Sequence, residues 1–103
     1  MLDPDRTVTI AVQVLPLTED AYAIVDKAIA VIAAAGVKYE VGPMETTMEG
    51  SLDELLKVAK AAHLACLEAG ADKLLTIIKI SDAPTGSTIA DKVSKYRQPG
   101  GRS

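Results

Sequence analysis

Nine residues, TVTIAVQVL (7–15), constrain this chain more than any others. Val8, Ile10, Val12 and Val14 alternate with Thr9, Ala11 and Gln13, and Pro16 ends the run. β-branched residues at a period of two describe a strand with one face turned to a core. Such a strand needs partners on its edges and a layer over its apolar face, and the rest of the chain supplies both. TEDAYAIVDKAIAVIAAAGV reads as a helix, with Thr18 or Asp20 as cap, Gly36 as stop and Ile24, Val25, Ala28, Ile32 and Ala35 on one stripe. VKYEV (37–41) is a second strand, Gly42-Pro43 a turn, and METTME a third strand. Ser51 opens a second helix with Glu54 three residues on, the capping-box spacing. Its stripe runs through Leu52, Leu55, Leu56, Ala59, Ala62, His63 and Cys66 to Gly70. DKLLTIIKI (72–80) is a fourth strand, and STIADKVSKYR predicts a short final helix before a loose end.

The order β-α-β-β-α-β, with two helices on one face of a four-stranded antiparallel sheet and a short C-terminal helix, is the ferredoxin-like α+β sandwich. With 103 residues the chain suffices for one domain and is too short for two. We therefore take residues 1–103 as one domain with its core at about 7–97. Composition narrows the function classes. No apolar run approaches the ~18 residues of a membrane span, and the start MLDPDR carries no apolar segment of a secretory leader. The single cysteine, Cys66, cannot staple the fold and sits among Ala and Leu, so a reducing cytoplasm is expected. A formal charge of −3 argues against a nucleic-acid partner. With no Phe, no Trp and only Tyr22, Tyr39 and Tyr96, the strands also lack faces on which bases could stack.

The opposite face of the sheet carries more information. If Val8, Ile10, Val12 and Val14 face the helices, Thr9, Ala11, Gln13 and Leu15 face away. In the fourth strand either Leu74/Thr76/Ile78/Ile80 or Leu75/Ile77/Lys79 must do the same, and both sets are apolar. An antiparallel sheet with one wet face normally shows a polar outer row there; an apolar one marks a partner surface. A homo-oligomer packed at least partly through sheet faces is expected.

VGPMETTMEG (41–50) is the second unusual stretch. Alternation points Met44, Thr46 and Met48 one way and Glu45, Thr47 and Glu49 the other. One reading is an edge strand whose Glu and Thr simply stay wet, since Thr suits strands. The other is chemical: hydroxyls that donate and accept, beside carboxylates that accept, suit a small heterocycle with an amino donor next to ring-nitrogen acceptors. Burying such groups unpaired costs roughly 1–3 kcal/mol each, so a covered strand of this kind calls for ligand, water or a neighbouring chain.

VQVLP, KYEVGPMETTMEG and TIADKVSKYR together resemble the small thiamine-binding protein family, from about Thr7 to Arg97, with YEVGP-x-x-TT-x-EG as the most specific piece. The resemblance implies a ferredoxin-like fold, binding of thiamine or its hydroxymethylpyrimidine part, and assembly as an oligomer, commonly a tetramer. Carried onto this chain, it puts Thr46, Thr47 and Glu49 at or beside the ligand pocket. Glu49 would receive the exocyclic amino group or pair with a protonated ring nitrogen, Thr47 would bond a remaining ring nitrogen, and Gln13 would reach the same surface through its amide. No cofactor is implied beyond the ligand itself.

Other side chains carry two readings. His63, alone on an apolar stripe, is a satisfied core or interface residue or a functional one; with no second His or Cys at ligand spacing a metal site is not expected. Lys79 either snorkels to solvent or places a cation at an interface, and Lys95 and Tyr96 either dock on a neighbouring subunit or close over a pocket. No nucleophile–base pair, metal motif or Gly-rich phosphate loop is present, so no catalytic residue is expected. A ferredoxin-like enzyme is the weaker alternative, because the fold alone selects no chemistry and the absence of any Asn removes an acylphosphatase. A regulatory or structural oligomeric module without a small ligand is the other.

Overall fold

The computed structural model describes residues 2–91. The elements follow the order β1 (Val8–Pro16), α1 (Ala21–Ala34), β2 (Lys38–Val41), β3 (Thr46–Gly50), α2 (Leu52–Glu68) and β4 (Leu74–Ser81). The four strands form one antiparallel sheet in the order β2-β3-β1-β4. Two helices cover one face, which is the ferredoxin-like α+β arrangement that the sequence pattern predicts. Residues 89–91 are helical; the rest of the expected terminal helix, with Lys95 and Tyr96, lies outside the described residues.

Alternation in β1 sets the layers. Val8, Ile10 and Val12 are buried against Ile24, Ala28 and Ile32 of α1 and Leu55, Ala59, Ala62 and Cys66 of α2, with Met48 of β3 beside them. This is the period-two face of a strand meeting the period-3.6 stripes of two helices. Small residues in α2 let the helix approach the sheet closely. Cys66 is fully buried, and that burial pushes its thiol pKa up, as for an inert core thiol. His63 has a partner: its Nδ1 lies 2.6 Å from Thr76 Oγ1, joining α2 to β4.

Local chemistry moves some boundaries. Ser51 caps α2, its hydroxyl accepting from the Glu54 N–H at 3.3 Å. Asp20 occupies the cap position of α1 in the left-handed region (φ 59) without a side-chain cap bond. Thr18 does not cap α1 either; its hydroxyl donates to Asp72 at 3.1 Å. Met44 and Glu45 fall outside β3, because the Gly42 N–H donates to the Glu45 carbonyl at 2.8 Å and closes a turn over residues 42–45. A Cβ on Gly42 would stand 3.1 Å from that same oxygen, so the turn is built on a close backbone approach.

Edge strand β4 is exposed on both sides. By register Ile78 and Ile80 turn to the helix side beside Val12 and Ile10, whereas Leu75, Ile77 and Lys79 turn to the open side. All four aliphatic residues keep between 40% and 52% of their surface in solvent.

Candidate functional site

In β3 successive side chains point to opposite faces, and this separates the two threonines. Thr46 pairs with Val12 and Val41 and turns to the helices; Thr47 pairs with Ala11 and Glu40 and turns to the open face. On that open face a row crosses all four strands: Glu40, Thr47, Ala11 and Lys79. Ala11 sets a low floor in the middle of the row. Above it Lys79 Nζ meets Glu45 Oε1 at 2.7 Å, linking β4 to the β2–β3 turn across β1.

This bridge stands between two hollows. The larger, about 620 Å³, is lined by Gln13, Glu40, Thr47, Lys79 and the 41–45 turn. The smaller, about 260 Å³, shares Glu45, Thr47 and Lys79 and extends to Thr9 and Ser81. Two carboxylates and one ammonium therefore face the larger hollow, together with an amide and a hydroxyl. Such a set can accept from and donate to a polar heterocycle.

At the far end of the face the chain after β4 turns back over the sheet. Gly86, at φ 96, closes a turn onto Ala83, and the Ser87 N–H donates to the Thr7 carbonyl at 2.7 Å. The Thr9 hydroxyl donates to the Ser87 carbonyl at 2.9 Å. Glu49 is engaged here: one oxygen meets Lys38 Nζ at 3.3 Å and the other accepts the Ile89 N–H at 3.0 Å. Arg6 donates through Nε to Asp82 at 2.8 Å and forms a second bond through Nη2, pinning the same turn. Those bonds from the guanidinium hold the Asp82 carboxyl below its ordinary value.

Of the four residues expected at a pocket, Gln13 and Thr47 line the larger open-face hollow. Glu49 shares their face but stands at the end occupied by Lys38 and Ile89. Thr46 lies on the other side of the sheet, in a separate cavity of about 320 Å³ between α1 and the 41–45 turn. Sequence reasoning left Glu40, Glu45 and Lys79 out of the pocket. Alternation already aligned Glu45 with Thr47; the missing fact was the register that lays Lys79 beside Ala11. Among the described residues no group of three or more His, Cys, Asp or Glu could hold a metal ion, and no helix is long and apolar enough to cross a membrane.

Comparison with known proteins agrees with this architecture. The family model described as "Thiamine-binding protein" matches residues 10–97. A UPF0045 protein of Clostridium perfringens is 47% identical over 93 residues, covering 88% of this chain and 98% of the relative. A solved structure from Bacillus cereus, described as the domain of unknown function DUF77, superimposes with a TM-score of 0.85 at 53% identity, covering 90% of this chain and 92% of that one. The crystal structure of a candidate thiamine biosynthesis/salvage protein from Thermotoga maritima gives a TM-score of 0.81 at 38% identity, with 88% and 99% coverage. With a family match over nearly its whole length and a fold shared with these relatives, the chain belongs to the thiamine-binding protein family.

Proposed function

We propose that this protein binds thiamine or its hydroxymethylpyrimidine moiety without turning it over, as a carrier, buffer or sensor, in the open-face hollow of a cytoplasmic homotetramer. The observation that carries the reading is the hollow itself. Its volume of about 620 Å³ falls within the range of ~300–1,000 Å³ usual for small-molecule sites. Its lining combines the Gln13 amide and Thr47 hydroxyl with the carboxylates of Glu40 and Glu45. An aminopyrimidine offers an amino donor and ring-nitrogen acceptors to the first pair. A thiazolium cation is compatible with the acidic side chains of Glu40 and Glu45 in that lining.

Glu49 lies on the same face at the Lys38 end, and it would receive the amino group by exchanging Lys38 for the ligand. Thr46, on the helix side of β3, does not line this hollow. A neighbouring subunit laid on the exposed face of β4 would deepen the hollow, and the exposed Leu75 and Ile77 supply the apolar contact.

Calorimetric titration with thiamine and with the pyrimidine alcohol tests the reading. Thr47→Val removes a hydroxyl at nearly constant shape, and a loss of about tenfold or more in affinity is expected, the effect of one hydrogen bond in a covered site. Glu49→Ala is titrated beside it, with its melting temperature as control for the lost Ile89 contact. Unchanged affinity in both variants moves the site away from this face. No binding of either compound by the unaltered protein leaves the second reading, a ligand-free oligomeric interaction module, which the doubly exposed β4 also favours.

A further inference from the structure

We propose that Lys79 is a specificity-determining residue of the open-face hollow: through its ion pair with Glu45 it disfavours a cationic ligand and leaves an uncharged aminopyrimidine unaffected. This inference rests on the thiamine-related reading above and names the form of ligand that the hollow favours.

Lys79 and Glu45 border both hollows of the open face, and their 2.7 Å bridge crosses β1 above Ala11. The two ends of the bridge are held differently. Glu45 belongs to a turn closed by its own carbonyl, which accepts the Gly42 N–H at 2.8 Å. Its side chain is 30% exposed, whereas that of Lys79 is 62% exposed and hangs by a flexible aliphatic stem from edge strand β4. The carboxylate is thus the fixed partner. The ammonium is the movable one, able to swing into solvent while its stem stays on the sheet.

A cation entering the larger hollow meets this arrangement as a competitor. To gain the attraction of Glu45 it must take the place of Lys79; otherwise it stands beside an ammonium of like charge, which is unfavourable. An uncharged aminopyrimidine needs no such exchange. Its ring nitrogens accept from Thr47 and Gln13, and Glu45 can accept an N–H while still paired, because a carboxylate offers about four acceptor sites. Glu40 lines the same hollow and is present in every Lys79 variant, so comparing those variants isolates the bridge. An ion pair this exposed shifts an equilibrium by no more than about fivefold. Lys79 therefore tunes selectivity rather than deciding whether a ligand binds.

Calorimetric titration of the full-length protein with thiamine and with the pyrimidine alcohol reads this selectivity, at a mildly alkaline pH where the pyrimidine is uncharged. Lys79→Met keeps the length of the side chain and removes its charge. Thiamine affinity should then rise about three- to fivefold, the pyrimidine alcohol should stay within about twofold, and the gain should fade as salt is raised. Lys79→Gln repeats the charge removal with a polar side chain, so that a folding defect in one variant still leaves a measurement. Lys79→Arg should keep the ratio of the unaltered protein. Lys57→Met, exposed on α2 across the sheet, changes the net charge equally and should alter neither affinity. An unchanged ratio in the two neutral Lys79 variants, with both compounds still bound, overturns the proposal and leaves the binding reading standing. An equal shift in Lys57→Met overturns it too, since net charge would then be the cause. Failure of both compounds to bind the unaltered protein removes the binding reading and this proposal with it.

Discussion

Thr46 and Thr47 are adjacent in sequence and face opposite layers, and this separation has consequences for stability as well as binding. Thr47 is half-buried on a polar row, whereas Thr46 lies at 5% exposure among aliphatic side chains. Among the described residues the Thr46 hydroxyl has no hydrogen-bond partner, and replacing such a buried hydroxyl by a methyl recovers part of a desolvation penalty of roughly 1–3 kcal/mol. Thr46→Val is therefore expected to raise the unfolding free energy by about 1 kcal/mol, read from the midpoint of urea denaturation at constant slope. The sequence spelled out both hydroxyls and their alternation. It did not say which face the helices would take, since Glu, Thr and Met at alternating positions suit either choice.

The elements are held by local chemistry that the chain announces openly. Ser51 followed by Glu54 promised a cap, and the hydroxyl accepts the Glu54 N–H. Ser51→Ala should cost about 1 kcal/mol, seen as a lower thermal midpoint with little change in ligand affinity. A second local tie is less legible. Arg6, ahead of β1, grips Asp82, just after β4, across a sequence distance of 76 residues, a separation over which no periodicity speaks. Because the guanidinium lowers the Asp82 pKa in the folded state, the pair's contribution to stability is complete above the ordinary carboxylate range. It disappears as the pH falls through the lowered folded value. The stability difference between the unaltered protein and Asp82→Asn should accordingly be largest near neutrality and close in acid, measured by chemical denaturation across that range.

At the scale of the whole molecule, the sheet has a covered face, an open face and an exposed edge. β4 displays Leu75 and Ile77 on one side and Ile78 and Ile80 on the other, more apolar surface than an isolated edge strand usually tolerates. If copies of the chain assemble through the open side, Ile77→Lys should lower the mass seen by native mass spectrometry while far-ultraviolet circular dichroism stays unchanged. A mass that stays multimeric in this variant would assign assembly to another surface. The layered fold was legible because each element's periodicity can be satisfied in few ways: TVTIAVQVL must bury alternate residues, and two amphipathic helices must cover them. The hollow was legible only in part. Gln13 and Thr47 were named from pattern and resemblance, but Lys79, Glu40 and Glu45 join them through strand register, and the 42–45 turn that walls off Thr46 depends on one backbone hydrogen bond. Periodicity is a property of consecutive residues, so the chain alone dictated its strands, its helices and the identity of its buried stripes. Which groups from distant strands share one cavity depends on pairing offsets, where a shift of one residue turns every side chain to the other face, and only the folded sheet decides that.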